Sequence, residues 1–374
     1  MKTNLDIKIA TDEYGKDVVI DLSRINHLLV AGNIGSGKSA ILHNIVSTLI
    51  SNNFPGHLKL VLIDIKKVEF GMYNMIPHLL TPVISDQKKA ILAMKWGAKE
   101  MSRRFDILAR SSARNIEDYH KNILKPALIE ESKKPKPDHD SDSYYQSESL
   151  PESMPYIFIV IDEISDFMSM YPKETETAIV QIIEKGHIVG IQMLISTSRP
   201  NTKIFTKPMK DLIGTRIALQ ITSPQDSKSV IGTGDACNLK EVGHMLYREG
   251  MKYIMRGQST SISIDEIKKV VKNQVDTYKK EVMSEVDLSD KASSKDTVFS
   301  ADFDSDQSNE SDELYEQAKE VVIKSGKAST SWLQRKLGIG YSRSAHLIDL
   351  LEQHGVVGSA NGSKSREVYS ENKK

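Results

Sequence analysis

The chain has 374 residues, 39% of them apolar, and a single cysteine, which fits two or three globular domains and excludes fibrous, collagen-like and disulfide-stapled classes. Cys237 has no partner for a bridge within the chain and reads as a small packing residue in a reducing compartment. Lys and Arg total 50 against 50 Asp and Glu, but the balance hides segregation: without residues 130–152 and 285–313, 45 basic and 33 acidic residues are left, a basic body compatible with a polyanionic partner.

Residues 1–26 begin with two short strand patterns, 5–9 and 17–20, on either side of Tyr14-Gly15, and read as a hairpin leading into the next domain. Residues 27–284 alternate aliphatic runs with helical patterns, the signature of α/β architecture with a mostly parallel sheet. The central strands are expected at 27–30, 59–63, 156–161, 192–196 and 216–220, because each is short and nearly continuously apolar, as strands covered on both faces are. No apolar run reaches the roughly 18 residues of a membrane span, and residues 1–10 lack a secretory signal. A cytoplasmic location with no membrane segment is the expectation.

Directly after the first central strand comes Gly32-Asn33-Ile34-Gly35-Ser36-Gly37-Lys38-Ser39, followed by a helical pattern from Ala40. This satisfies G-x-x-x-x-G-K-[S/T] in the strand-to-helix setting the motif requires. Its glycines let backbone N–H groups and the helix N-terminus face phosphates. Lys38 can reach the β and γ oxygens of ATP, and the Ser39 hydroxyl can join a Mg²⁺ shell. Residues 133–153, rich in Ser, Asp and Lys, break the pattern as a surface insertion spanning about 130–153. Next, Ile157-Phe158-Ile159-Val160-Ile161-Asp162-Glu163 supplies the carboxylates a P-loop needs: Asp162 for Mg²⁺, Glu163 to orient or deprotonate the attacking water.

Residues 285–312 form an acidic linker, and residues 313–374 change style. Three helical patterns and a Gly-rich hairpin-like tail make a winged-helix (α+β) domain the best fit. Gln334, Arg335, Ser342, Arg343 and His346 lie around the second helix and the start of the third, the element that a helix-turn-helix sets in the major groove. Arg343 suits bidentate guanine contact, with about 1–3 kcal/mol of discrimination. Lys364 and Arg366 in the wing suit phosphate contacts, while protein contact alone is the alternative use of such a domain.

Taken together, HLLVAGNIGSGKS, LVLIDIKKVEF, IPHLLTPVISDQKKAILAMKWGAKEMSRRF, MPYIFIVIDEISDFM, GIQMLISTSRP, GTRIALQITSPQDSKSVIG and GHMLY resemble the FtsK/SpoIIIE family of hexameric double-stranded DNA translocases. The segment ASTSWLQRKLGIGYSRSAHLIDLLEQHGVVG is similar to that family's γ domain. The resemblance implies a RecA-like motor that hydrolyses Mg·ATP, forms a homo-hexameric ring and pumps duplex DNA. It implies that Arg199, Lys210 and Lys228 line a channel and hold DNA phosphates, a sequence-independent grip suited to a motor. The sequence departs from the family where His187 stands for a usual arginine, a residue credited with reaching the neighbouring subunit's γ-phosphate; Arg216 is the other candidate for that trans charge. Ser198 likewise replaces a usual glutamine, and Ser342 and His346 replace asparagine and arginine. The family's transmembrane segments have no counterpart in these residues, so membrane tethering is not expected. Two alternatives stay open: an ATP-switched DNA-binding regulator, against which the intact Asp162-Glu163 pair argues, and a ring ATPase coupling protein for conjugative or secretory transfer, against which the γ-like segment argues.

Overall fold

A computed structural model describes residues 3–133, 150–250, 252–278 and 315–325, together with short stretches between 328 and 369. The chain divides into two compact units, residues 1–303 and 304–374.

The first unit is built on one nine-stranded sheet in the order β2-β1-β9-β8-β7-β3-β6-β5-β4. Its strands are β1 (Asp6–Asp12), β2 (Asp17–Asp21), β3 (Leu28–Ala31), β4 (Leu58–Ile63), β5 (Tyr156–Ile161), β6 (Ile191–Thr197), β7 (Thr215–Ala218), β8 (His244–Glu249) and β9 (Met255–Ser259). Strands β7, β3, β6, β5 and β4 run parallel; they are the five expected from the apolar runs. Every residue of β3, β5 and β6 is buried, which is why these strands read as continuous rather than alternating hydrophobic sequence.

Among the helices are α1 (Lys38–Asn52), α2 (Gln87–Arg110), α3 (Ile116–Tyr119), α4 (Lys125–Lys133), α5 (Ser165–Met168), α6 (Pro172–Lys185), α7 (Lys207–Leu212), α8 (Pro224–Ile231) and α9 (Ile264–Thr277). Leu28 and Val30 join Ile41, Leu42, Ile45 and Ile267 in one core layer, so α1 and α9 cover that face. Leu29, Ala31, Ile159 and Ile161 join Ala90, Met94, Ile179 and Ile182 in the other, under α2 and α6. The period-2 alternation of a strand thus sends successive residues of β3 into different cores.

The amino-terminal hairpin is not set apart from this unit. Strand β1 pairs with β9 antiparallel, and β9 with β8, so the hairpin forms the edge of the same sheet. Strands β8 and β9 escaped the sequence reading because HMLYRE and MRGQS carry charges and a glycine instead of an apolar run. The inserted segment enters through α4, and its return is tied down by Glu152, which pairs with Arg103 of α2 at 2.6 Å. Residues 134–149 and the linker 285–312 lie outside the described residues.

In the second unit, α10 (Tyr315–Ser325) packs Ala318 and Val322 onto Ala328, Leu333, Leu347, Ile348, Leu351, Val356 and Val357. An antiparallel bridge joins Val357 to Val368, at the position expected for the wing.

Candidate nucleotide site

The site forms outside the carboxyl ends of β3, β4, β5 and β6, the crevice where open α/β sheets place ligands. Between β3 and α1 the chain turns through Gly37, which caps the helix with φ +107°, a conformation closed to most L-residues. Gly32 is needed for closeness: a Cβ there would lie 2.6 Å from Ser36 Oγ and 2.7 Å from Leu219 Cβ. Backbone contacts fix the rest of the loop. The Asn33 N–H donates to the Gln220 carbonyl at 2.7 Å and the Gly243 N–H to the Ser36 carbonyl at 3.0 Å, while Asn33 Nδ2 donates to Thr222 Oγ1 at 2.6 Å. Ser36 turns inward and donates to the Asn33 carbonyl at 2.7 Å. Ile34, 89% exposed, stands at the apex. The amides of Lys38, Ser39 and Ala40 open α1, where helical N–H groups have no intrahelical partner and the dipole favours anions.

Lys38 lies across the loop, its ammonium donating to the Asn33 carbonyl at 3.1 Å. Burial pulls its pKa down, and the carboxylates of Glu163 and Asp162 offset part of that loss. Asp162 and Glu163 follow β5 directly and differ sharply. Glu163 is 6% exposed; its Oε2 accepts the Ser198 N–H at 2.8 Å and its Oε1 the Ser165 N–H at 3.2 Å. Burial favours its neutral form, but these bonds, with the hydroxyl of Ser198, outweigh burial and hold its pKa below the usual carboxylate range. Asp162 goes the other way: burial and the nearby charges of Glu69, Asp64 and Glu163 push it up to about 7.

Two of those neighbours were not among the residues singled out from sequence. Asp64, fully buried at the end of β4, accepts the N–H groups of Glu69 and Phe70 on Oδ2 at 2.8 and 2.9 Å. Its Oδ1 is buried with no hydrogen-bond partner among the described residues. Glu69, so placed, accepts the Ser39 hydroxyl at 2.7 Å. The hard oxygens of Ser39 and Asp162 and an orphaned carboxylate oxygen suit Mg²⁺ by charge and ligand type. The one signal that could have found Glu69 was the carboxylate pair in LVLIDIKKVEF, set just past an apolar strand.

The other sequence candidates scatter. Arg199 is exposed just beyond β6, and its charge counteracts the rise that burial causes in the Asp166 carboxyl. Lys228 is exposed on α8. The Lys210 ammonium stands over the Phe205 ring, 5.7 Å from its centroid. Arg216 is not free: Nε donates to the Ile213 carbonyl at 2.8 Å, Nη1 to the Val230 carbonyl at 3.0 Å and Nη2 to the Lys210 carbonyl, with the guanidinium over Phe205. His187 is no plain surface residue either. It is half-buried, meets the buried His27 ring edge-on at 6.2 Å, and its Nδ1 has no partner among the described residues. Ser198, where the family usually has glutamine, serves here to anchor Glu163. Gln334, Arg335, Ser342, Arg343, His346, Lys364 and Arg366 all lie outside the described residues. Among the described residues no helix is long and apolar enough to cross a membrane.

The sequence profile described as FtsK/SpoIIIE family matches residues 2–202, and one described as Ftsk gamma domain matches residues 309–371. A protein named DNA translocase FtsK from Mesorhizobium japonicum is 34% identical over 377 residues, covering 98% of this chain and 42% of its own length. Its namesake in Staphylococcus epidermidis is 36% identical over 371 residues, covering 98% and 43%. The chain therefore spans less than half the length of these curated relatives. Among solved structures, the conjugation coupling protein TcpA of pCW3, with ATPγS, aligns with a TM-score of 0.58 at 23% identity over 73% of this chain and 72% of that one. The cytoplasmic domain of the Type VII secretion ATPase EccC from Thermomonospora curvata aligns with 0.59 at 23% over 73% and 31%. At that identity the two structures speak for the fold, a RecA-like P-loop architecture, and the sequence matches speak for descent: the chain belongs to the FtsK/SpoIIIE family.

Proposed function

We propose that this chain is an ATP-driven motor that moves double-stranded DNA through a homo-oligomeric ring, six subunits by the family's precedent, with Mg²⁺ and ATP held at the β3–α1 loop. The observation that carries the reading is Glu163. A buried carboxylate kept ionised by Ser198 and Ser165, beside Asp162 and Lys38, is the arrangement needed to accept a proton from an attacking water. A site that only bound nucleotide would have no use for it.

Within this reading the amides of Gly35 to Ala40 cradle phosphate oxygens and Lys38 leaves the Asn33 carbonyl to meet them. Ser39 and Asp162 hold the metal, which when bound neutralises charge building up on the phosphates. Glu163 orients water and takes its proton, and the buried walls around Asp162 exclude other water. Arg199, Lys210 and Lys228 grip DNA phosphates, and the γ-like unit reads sequence through Arg343 and its neighbours. Arg216 would act in trans only after releasing three carbonyls, and His187 only after leaving His27, so neither is assigned that role.

The test is ATP turnover and triplex displacement by the purified chain. Turnover rising with duplex DNA far more than with single strands, and a third strand stripped from the duplex, are expected; both vanish in Lys38→Ala. Equal stimulation by single and double strands would replace the reading with that of a coupling ATPase, and turnover without displacement would remove the translocase altogether.

A further inference from the structure

We propose that Glu69 is a positioning residue for the metal side of this site: it takes the hydrogen of the Ser39 hydroxyl and so turns the oxygen's lone pairs toward a divalent cation. The proposal rests on the reading of the loop as a Mg·ATP site.

A serine hydroxyl has one hydrogen and two lone pairs. To serve a metal it must present a lone pair, so its hydrogen needs an acceptor elsewhere, and a hydroxyl left to rotate spends part of its time pointing the hydrogen at the cation. Here the acceptor is in place: Glu69 Oε1 lies 2.7 Å from Ser39 Oγ. With the hydroxyl served by Glu69, Asp162 keeps its oxygens for the metal's own waters.

Glu69 is itself held from two sides. Its backbone N–H is fixed on the buried Asp64 carboxylate at 2.8 Å. Its other oxygen lies 3.2 Å from His43 Nε2, and His43 Nδ1 lies 3.0 Å from the Tyr73 hydroxyl, which lies 3.1 Å from Ser47 Oγ. An ionised Glu69 only accepts, so His43 Nε2 is the donor to it. Ser39, His43 and Ser47 recur every four residues and so share one face of α1. That face is a polar stripe on a helix whose other inward positions, such as Ile41, Leu42, Ile45 and Val46, are apolar. The stripe meets Glu69 and Tyr73, which also stand four residues apart. A merely structural network would tie α1 to the segment after β4 without ending on the one hydroxyl that a P-loop offers to its metal.

The experiment is titration of the full chain with Mn²⁺ in the presence of the non-hydrolysable analogue AMP-PNP, followed by electron paramagnetic resonance. Glu69→Gln, nearly isosteric, is expected to weaken Mn²⁺ binding about tenfold, the lower end of what partners behind a metal ligand contribute, while AMP-PNP affinity in EDTA stays at the wild-type value and reports a folded loop. His43→Phe should weaken Mn²⁺ in the same direction by a smaller factor. In the Ser39→Ala background, Glu69→Gln should have no further effect, since its action passes through that hydroxyl. Mn²⁺ affinity unchanged in Glu69→Gln, or an equal loss with and without the Ser39 hydroxyl, overturns the proposal and leaves the nucleotide site standing. A wild-type chain that takes up no more Mn²⁺ than free AMP-PNP does removes the nucleotide site, and the proposal with it.

Discussion

The two ends of the five parallel strands treat polar groups in opposite ways. At the carboxyl ends, Asp64, Asp162 and Glu163 crowd together, one of them pushed up to about 7 and one oxygen left without a partner among the described residues. At the amino ends the strongly polar side chains of Arg104, Gln192 and Arg216 are closed down on backbone carbonyls. Arg104 is 1% exposed and donates to the Pro155 and Val189 carbonyls just before β5 and β6, with Glu100 at 2.8 Å. Gln192 donates to the Leu22 carbonyl, Arg216 to three carbonyls, and the buried His27 is uncharged. Guanidinium groups spent on backbone carbonyls serve the fold, whereas carboxylates crowded against one another at a strand end mark chemistry.

That contrast predicts where substitutions act. At the carboxyl ends the effect falls on turnover: Glu163→Gln should lower the ATPase rate by about 10²–10⁴-fold, the usual worth of a positioned base, with AMP-PNP still bound and thermal stability nearly unchanged. A loss of stability in place of turnover would put Glu163 among the groups that serve the fold. At the amino ends the effect falls on stability. Arg216→Ala strands buried carbonyls and should lower unfolding free energy by about 1–3 kcal/mol in denaturant titrations. Were Arg216 instead a trans charge on a neighbouring nucleotide, Arg216→Lys would cut turnover by about 10³-fold or more at little cost in stability, and the proposed division between the two ends would fail there.

The difference between the ends also governs what could be read from the sequence. Strands β3 to β7 were legible because burial on both faces forces unbroken apolar runs, and Lys38, Ser39, Asp162 and Glu163 because each is fixed by residues beside it in the chain. Glu69 was not, since its position depends on a turn stapled by Asp64 and on a helix face thirty residues earlier by the numbering of Ser39. Strands β8 and β9 were hidden for a related reason: they sit in the antiparallel half, where β9 alternates buried and exposed positions, and β8 earns its place through Gly243, whose amide supports Ser36 from far along the chain. The meeting of His187 with His27 was hidden as well, since one precedes β6 and the other precedes β3, and no local pattern encodes a pairing so distant in sequence.

His27 provides the cleanest discrimination, because it stands at the end of the sheet opposite the nucleotide loop. Its Nδ1 accepts the Met193 N–H at 3.0 Å, and burial, aided by the charge His187 would carry, lowers its pKa from 6.5 to about 3. Folded, it stays neutral; unfolded, it takes a proton below pH 6.5. The unfolded chain therefore binds more protons between about pH 6.5 and 3, and stability drains away as pH falls through that window, at about 1.4 kcal/mol per unit once the unfolded ring is mostly protonated. Asn at this position sets its Oδ1 where Nδ1 now lies and cannot titrate. Its missing ring atoms make His27→Asn less stable at pH 8, but between pH 6 and 4 its stability should fall by about 1 kcal/mol per unit less than wild type. The slope will not reach zero, since buried His78, lowered to about 4, contributes in the same direction. Parallel slopes for the two proteins would mean that His27 meets its proton without unfolding, and that the amino ends of the strands are not the sealed region their hydrogen bonds describe.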